Sequence, residues 1–209
     1  MAALPGKAGT LYVAGEGFGV MRTQDEGATW LLLDGGLPKL SVEALTVHAS
    51  HDSTLFASVS GEGIFRTEDA GQTWTRMDGG PRQPVRQLFH SGLPGSMKTG
   101  WLYAATPDGL YRSMDCFCGW RHAGNAPDRG EIYSVTFAPD APEQISAAGA
   151  AGVARSQNCG ETWEHLASDG PPKRFLAFDA AAGDLFAATR DGQLLRGTDR
   201  GARWKRVNE

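Results

Sequence analysis

The sequence contains no apolar run approaching the ~20 residues that a membrane-spanning helix requires, so insertion into a bilayer is not expected. It has no basic run either. With 20 Lys and Arg against 24 Asp and Glu, a net charge of −4 leaves little means of neutralising phosphates, and nucleic acid is not an expected partner. Cysteine is scarce: Cys116, Cys118 and Cys159 are the whole supply. An odd count is no disulfide framework, and free thiols fit a reducing compartment. The first ten residues lack both the basic and the apolar parts of a secretory leader. A cytoplasmic location is therefore expected, unless a leader has been removed. Nowhere is an apolar period of 3.6 residues sustained, which predicts almost no helix. Turn formers abound instead, with 28 glycines and 11 prolines in 209 residues, a length sufficient to bury a core.

Five of the six tryptophans recur on a period: Trp30, Trp74, Trp120, Trp163 and Trp204 are 44, 46, 43 and 41 residues apart. Each closes a similar phrase. Two are complete, Thr23-Gln-Asp25-Glu-Gly27-Ala-Thr29-Trp30 and Thr67-Glu-Asp69-Ala-Gly71-Gln-Thr73-Trp74. A third, Ser156-Gln-Asn158-Cys-Gly160-Glu-Thr162-Trp163, has Asn for Asp. The remaining two are worn. Around Asp115 and Trp120, Phe117 replaces the glycine and Gly119 the second hydroxyl residue; around Asp199 and Trp204, Gly197 and Arg203 replace both hydroxyl residues. The pattern S/T-x-D-x-G-x-S/T-W resembles the Asp-box, or BNR, repeat family, and the resemblance covers nearly the whole chain.

Between the boxes lie short runs rich in β-branched and aromatic residues, bounded by Gly, Pro and Asp, which read as strands. Val42–Val47, Val85–Phe89, Ile132–Phe137 and Arg174–Phe178 open their repeats, and Met1–Leu4 is the matching first strand of the first. Four strands then fit each repeat. The expected fold is all-β, a single domain of five four-stranded blades near residues 1–36, 37–80, 81–124, 125–169 and 170–209. Radial repetition of this kind leaves only short sheet edges.

The box residues read as structural. An Asp in a turn accepts hydrogen bonds from nearby backbone N–H groups, glycine admits positive φ, and each Trp covers part of an inter-blade contact. Asn158 keeps that geometry and loses the charge a hard cation would need, so neither metal nor cofactor is expected. Arg22, Arg66, Arg112, Arg155 and Arg196 precede the five boxes, and each is expected to lie over apolar surface and pair with a carboxylate.

The resemblance implies that ligands sit on the face opposite the boxes. Aligning the first strands places Glu43, Arg86, Tyr133 and Arg174 at one level there, as the candidate binding set. Arginine, tyrosine and glutamate on a channel mouth have a partial likeness to a sialidase centre, whose three arginines and separate acid come with an Arg-Ile-Pro-like segment that is not found here. Glu62, Asp108 and Asp191 form a second column, on ordinary turns. Gly15-Glu-Gly-Phe-Gly-Val reads as a hairpin and lacks dinucleotide spacing. Cys116-x-Cys118 is not a zinc pair, and the five histidines show no paired ligand spacing. No nucleophile elbow or metalloprotease helix is present. Similar propellers include sortilin-like receptors, photosystem II assembly factors and xyloglucanases. The resemblance therefore implies a monomeric, non-catalytic module binding a protein partner, with a carbohydrate-binding or glycoside hydrolase-like propeller as the alternative.

Overall fold

The structure is a computed structural model that describes residues 2–3, 7–93, 100–114, 119–124, 130–138, 141–166, 175–181, 184–189, 191–198, 201 and 203–207. Its described elements are all strands, in five four-stranded antiparallel sheets whose strands follow one another in sequence order. The first comprises β1 (Ala2–Ala3), β2 (Leu11–Gly15), β3 (Gly19–Thr23) and β4 (Leu31–Leu32). Next come β5 (Val42–Val47), β6 (Leu55–Val59), β7 (Gly63–Thr67) and β8 (Thr75–Arg76). The third holds β9 (Gln87–Ser91), β10 (Trp101–Thr106), β11 (Gly109–Met114) and β12 (Trp120–His122). The fourth holds β13 (Ile132–Ala138), β14 (Ala141–Gly149), β15 (Gly152–Ser156) and β16 (Glu164–His165). The last holds β17 (Phe175–Ala181), β18 (Asp184–Thr189), β19 (Leu194–Thr198) and β20 (Arg203–Arg206).

The expected strand at the N-terminus is present: Ala2 pairs with Tyr12 and Ala3 with Leu11, whereas Met1 and Leu4 lie outside the described residues. No described helix is long and apolar enough to cross a membrane, which says nothing of strands. The chain packs as two compact units, residues 1–104 with 113–120 and residues 105–112 with 121–209.

In the first unit, Tyr12, Val20, Leu33, Val42, Leu55, Phe65 and Trp74 form one core cluster. All five residues of β6 are buried, Ser58 among them, so this strand is covered on both faces, and four of its five residues are apolar rather than alternating. Burial of each such Leu, Val or Phe is worth roughly 1.5–3 kcal/mol. In the second unit, Ala148, Val153, Leu185, Ala187 and Leu195 cluster with Leu166 and Trp204.

One joint recurs in both units. After β4 the chain bends back, Leu33 N–H donating to Val20 O at 2.8 Å, and then runs against the second box. A Cβ at Gly35 would lie 2.0 Å from the Gln72 carbonyl oxygen, so only glycine fits. Trp74 closes the joint, its backbone N–H donating to Gly35 O at 2.7 Å and its indole Nε1–H to Leu33 O at 3.0 Å. After β12, Ala123 N–H donates to Leu110 O at 2.8 Å and Trp163 Nε1–H to Ala123 O at 2.8 Å. The tryptophan of one box thus satisfies a carbonyl on the preceding sheet.

Candidate functional site

The box turns build themselves from eight residues. In the second, Thr67 Oγ1 donates to Asp69 Oδ1 at 2.7 Å and accepts from Gly71 N–H at 2.9 Å. Asp69 in turn accepts from Thr73, backbone N–H at 2.8 Å and hydroxyl at 2.7 Å. The first box repeats this around Asp25, with Thr29 N–H at 2.8 Å and Oγ1 at 2.6 Å. Hydrogen bonds to the ionised form, those from Thr29 and Thr73 foremost, hold the Asp25 and Asp69 carboxyls down at about 2. Asn158 makes the same turn with Thr162 N–H at 2.9 Å, and its Nδ2 donates to the Thr162 hydroxyl, reversing that one bond. Two consecutive residues of these turns are left-handed, including the non-glycines Glu26, Ala70 and Cys159. Asp115, Cys116, Phe117, Cys118 and Asp199 lie outside the described residues.

The tryptophans are not equivalent. Trp74 is 5% exposed, whereas Trp30 is 38% exposed and donates to Gly27 O of its own turn at 3.1 Å. The expectation that every box Trp covers a neighbouring sheet therefore does not extend to Trp30 in the described structure. Trp120, Trp163 and Trp204 are half-buried.

Of the expected mouth set, Glu43 on β5 accepts from the N–H of Val85, the residue preceding Arg86, at 3.0 Å. Tyr133, on β13 of the other unit, donates its hydroxyl to Glu131 at 2.6 Å. Arg174 lies outside the described residues. The second column is engaged locally. Glu62 pairs with Lys39 at 2.9 Å, which holds its carboxyl below the usual range. Asp108 accepts from Thr106 at 2.6 Å and Tyr111 at 3.1 Å, and Asp191 accepts from Gln193 at 2.7 Å.

The arginine column pairs with carboxylates, as expected, in four sheets. Arg66 pairs with Glu68, Arg112 with Glu161 at 3.5 Å, Arg155 with Glu164 at 3.3 Å, and Arg196 with Asp184 at 2.7 Å. Arg22 departs from the pattern: its guanidinium has no ion pair or hydrogen bond among the described residues. It lines a cavity of about 550 Å³ with Thr10, Tyr12, Gln24, His51 and Asp52.

Beside that cavity the fold gathers three histidines that sequence spacing did not pair. His48 Nδ1 accepts from the N–H groups of Ser50 and His51 at 3.0 and 3.1 Å, so its Nε2 carries the proton and donates to His51 Nδ1, 3.1 Å away. His90 lies tilted against His48 with ring centroids 3.9 Å apart and accepts from Ala49 N–H at 3.1 Å. His48 lies in the loop that follows β5 and His90 on β9 of the next sheet, so packing between the two sheets joins them. Among the described residues no three His, Cys, Asp or Glu side chains are arranged to hold a metal. The thiol of Cys159 is pushed up chiefly by burial.

No family model matches the chain. No curated protein matches it either. Solved structures do. An ancestral GH74 enzyme superposes with a TM-score of 0.77 at 18% identity, over 99% of this chain and 30% of that one. The GH74 xyloglucanase of Xanthomonas campestris gives 0.75 at 18%, over 99% and 37%. YCF48 bound to D1 peptide gives 0.66 at 16%, over 97% and 69%. The chain thus spans about a third of the length of those GH74 chains. At such identities the likeness is one of fold, and the neighbours are β-propeller proteins.

Proposed function

We propose that the chain is a five-bladed Asp-box propeller, a single domain with blades near residues 1–36, 37–80, 81–124, 125–169 and 170–209, that works as a non-catalytic protein-binding module. One observation carries the binding reading. Of the seven large apolar side chains exposed among the described residues, five belong to residues 18–40: Phe18, Trp30, Leu31, Leu32 and Leu40. The outer strands of the other sheets are Thr-Arg, Trp-Arg-His, Glu-His and Arg-Trp-Lys-Arg, and only β4 presents Leu-Leu. A clustered apolar edge on an otherwise polar surface is the mark of a surface that meets a protein.

Glycoside hydrolysis, the reading that GH74 neighbours favour, requires a pair of carboxyl groups across a scissile bond. The carboxylates at the expected mouth and on the second column are instead engaged in turns, backbone bonds and ion pairs. Peptide-display selection on the purified chain, alongside reducing-sugar release from xyloglucan and sialosides, tests the reading. The expected result is selection of apolar-containing peptides whose binding is lost in Leu31→Asp/Leu32→Asp, with no sugar release. Sugar release abolished by a carboxylate-to-amide change would replace it with the hydrolase.

A further inference from the structure

Five arginines stand at one register in five sheets, and only Arg22 lacks a carboxylate among the described residues. The reason is visible residue by residue. Arg66 takes Glu68, the second residue of its own box; in the first box that position is Gln24. Arg155 takes Glu164, its cross-strand partner; the cross-strand partner of Arg22 is Leu31. Arg196 takes Asp184, which stands one residue before the Leu185–Gly197 pair. The matching pair in the first sheet is Leu11–Thr23, and the residue before it is Thr10. Arg112 takes Glu161 in the box of the following sheet, and donates to the carbonyl of Cys159 there. In the second box those positions are Gln72 and Ala70, and Ala70 lines the same cavity as Arg22. All four positions that neutralise the sister arginines are neutral around this one.

The cavity is not otherwise short of acid, but its acid is spent. Asp52 pairs with Lys7 at 2.9 Å. Arg22 is half-buried opposite Tyr12, which is 1% exposed, so its guanidinium is partly desolvated without a counter-charge. His51 adds a donor: with Nδ1 taken by His48, its Nε2 carries the proton. Ser50 and Ser53 line the same space.

We infer that this cavity, of about 550 Å³, is a receptor for a carboxylate group, with Arg22 as the anchor. Carboxylate is the class because the same guanidinium position takes a carboxylate in each of the four other sheets, and the fork of an arginine matches that group in two parallel bonds. The group can arrive on an acidic side chain of a peptide or on a small organic acid. Either source completes the pattern, and the site stands whether or not the apolar edge binds a protein.

The test follows the Arg22 Nε–Hε resonance by NMR, with affinities from calorimetry, for four probes: a short peptide containing one Glu, its Gln counterpart, succinate and inorganic phosphate. The Glu peptide or succinate should shift that resonance; the Gln peptide should not. Peptide alone binding identifies a protein ligand, and succinate binding equally identifies a small acid. Arg22→Gln should weaken binding by about tenfold or more, the scale of hydrogen bonds to charged groups. Gln72→Glu is the decisive variant, since it supplies the internal acid that Glu161 supplies to Arg112. It should abolish binding while leaving the melting temperature unchanged or raised, which no loss of folding would mimic. The inference is overturned if neither carboxylate probe moves the resonance up to millimolar concentration, if Gln72→Glu binds as the native chain does, or if phosphate binds as tightly as succinate.

Discussion

The first and second sheets carry nearly the same box and put it to different use. Their turns superimpose bond for bond, with Thr29 and Thr73 N–H both 2.8 Å from the aspartate and glycine φ angles of 96° and 93°. Yet Trp74 is buried against Leu33, whereas Trp30 folds back on its own turn and remains 38% exposed. Arg66 is neutralised by Glu68, whereas Arg22 faces a cavity. The box is thus a local device that its own eight residues fix completely. What its tryptophan and the preceding arginine do is decided by the chain that lies beside them, and there the repeats diverge.

The largest expected difference is in the tryptophans. Trp74→Ala should cost about 3–5 kcal/mol, as truncation of a large buried aromatic does, and it leaves the Leu33 carbonyl without its donor. Trp30→Ala should cost under about 1 kcal/mol, in the range of surface changes. Urea denaturation of both variants measures the contrast. Equal losses would show that Trp30 is covered in solution and that the two sheets are equivalent after all.

A smaller difference separates the box glycines. Both are left-handed, so alanine at either strains the backbone by about 1–2 kcal/mol. At Gly71 a Cβ would also come within 2.6 Å of Leu33 Cδ1, while at Gly27 the nearest atom, on Trp30, is an ordinary 3.7 Å away. Overpacking typically adds about 1–3 kcal/mol. Gly71→Ala should therefore be the less stable of the two variants in the same denaturation experiment, and a reversed order would refute the packing difference between the joints.

The strand plan was legible because two local signals agree in every repeat: turn residues at fixed offsets and short apolar runs between them. Val42–Val47 is the strand expected, and the run from Val85 begins two residues later, as Gln87–Ser91. Asn158 was readable as a turn residue because its amide oxygen can stand where a carboxylate oxygen does. The carboxylate partners of the arginines were legible as a class but not one by one, since each sheet draws its acid from a different position: the box, the cross-strand neighbour, the preceding strand or the next sheet. The unmatched Arg22 shows only when all four positions are compared in register. The histidine cluster was hidden for a related reason. His48 and His51 belong to one loop, but His90 arrives 39 residues later, on a strand whose neighbour the sequence does not name.

The smallest effect concerns the aspartates, and here the two sheets should behave alike. The Asp25 and Asp69 carboxyls, normally near 3.8, are held at about 2 by the threonine bonds of their turns. The unfolded chain therefore binds these protons first as pH falls, and the stability they contribute is complete above about 3.8 and lost as pH falls toward 2. Asparagine does not titrate, and the fourth box shows that it can close the turn by letting a hydroxyl reverse one bond. Asp25→Asn and Asp69→Asn should thus each leave the melting temperature nearly unchanged at pH 7. The double variant should show a flatter decline in stability between pH 4 and 2 than the native chain. Because both turns are complete without a cation, added Ca²⁺ should not raise the melting temperature of the native protein. A Ca²⁺-dependent rise that disappears in Asp69→Asn but survives in Asp25→Asn would mean that the second box, and not the first, uses its charge. The difference between the sheets would then begin inside the box rather than beside it.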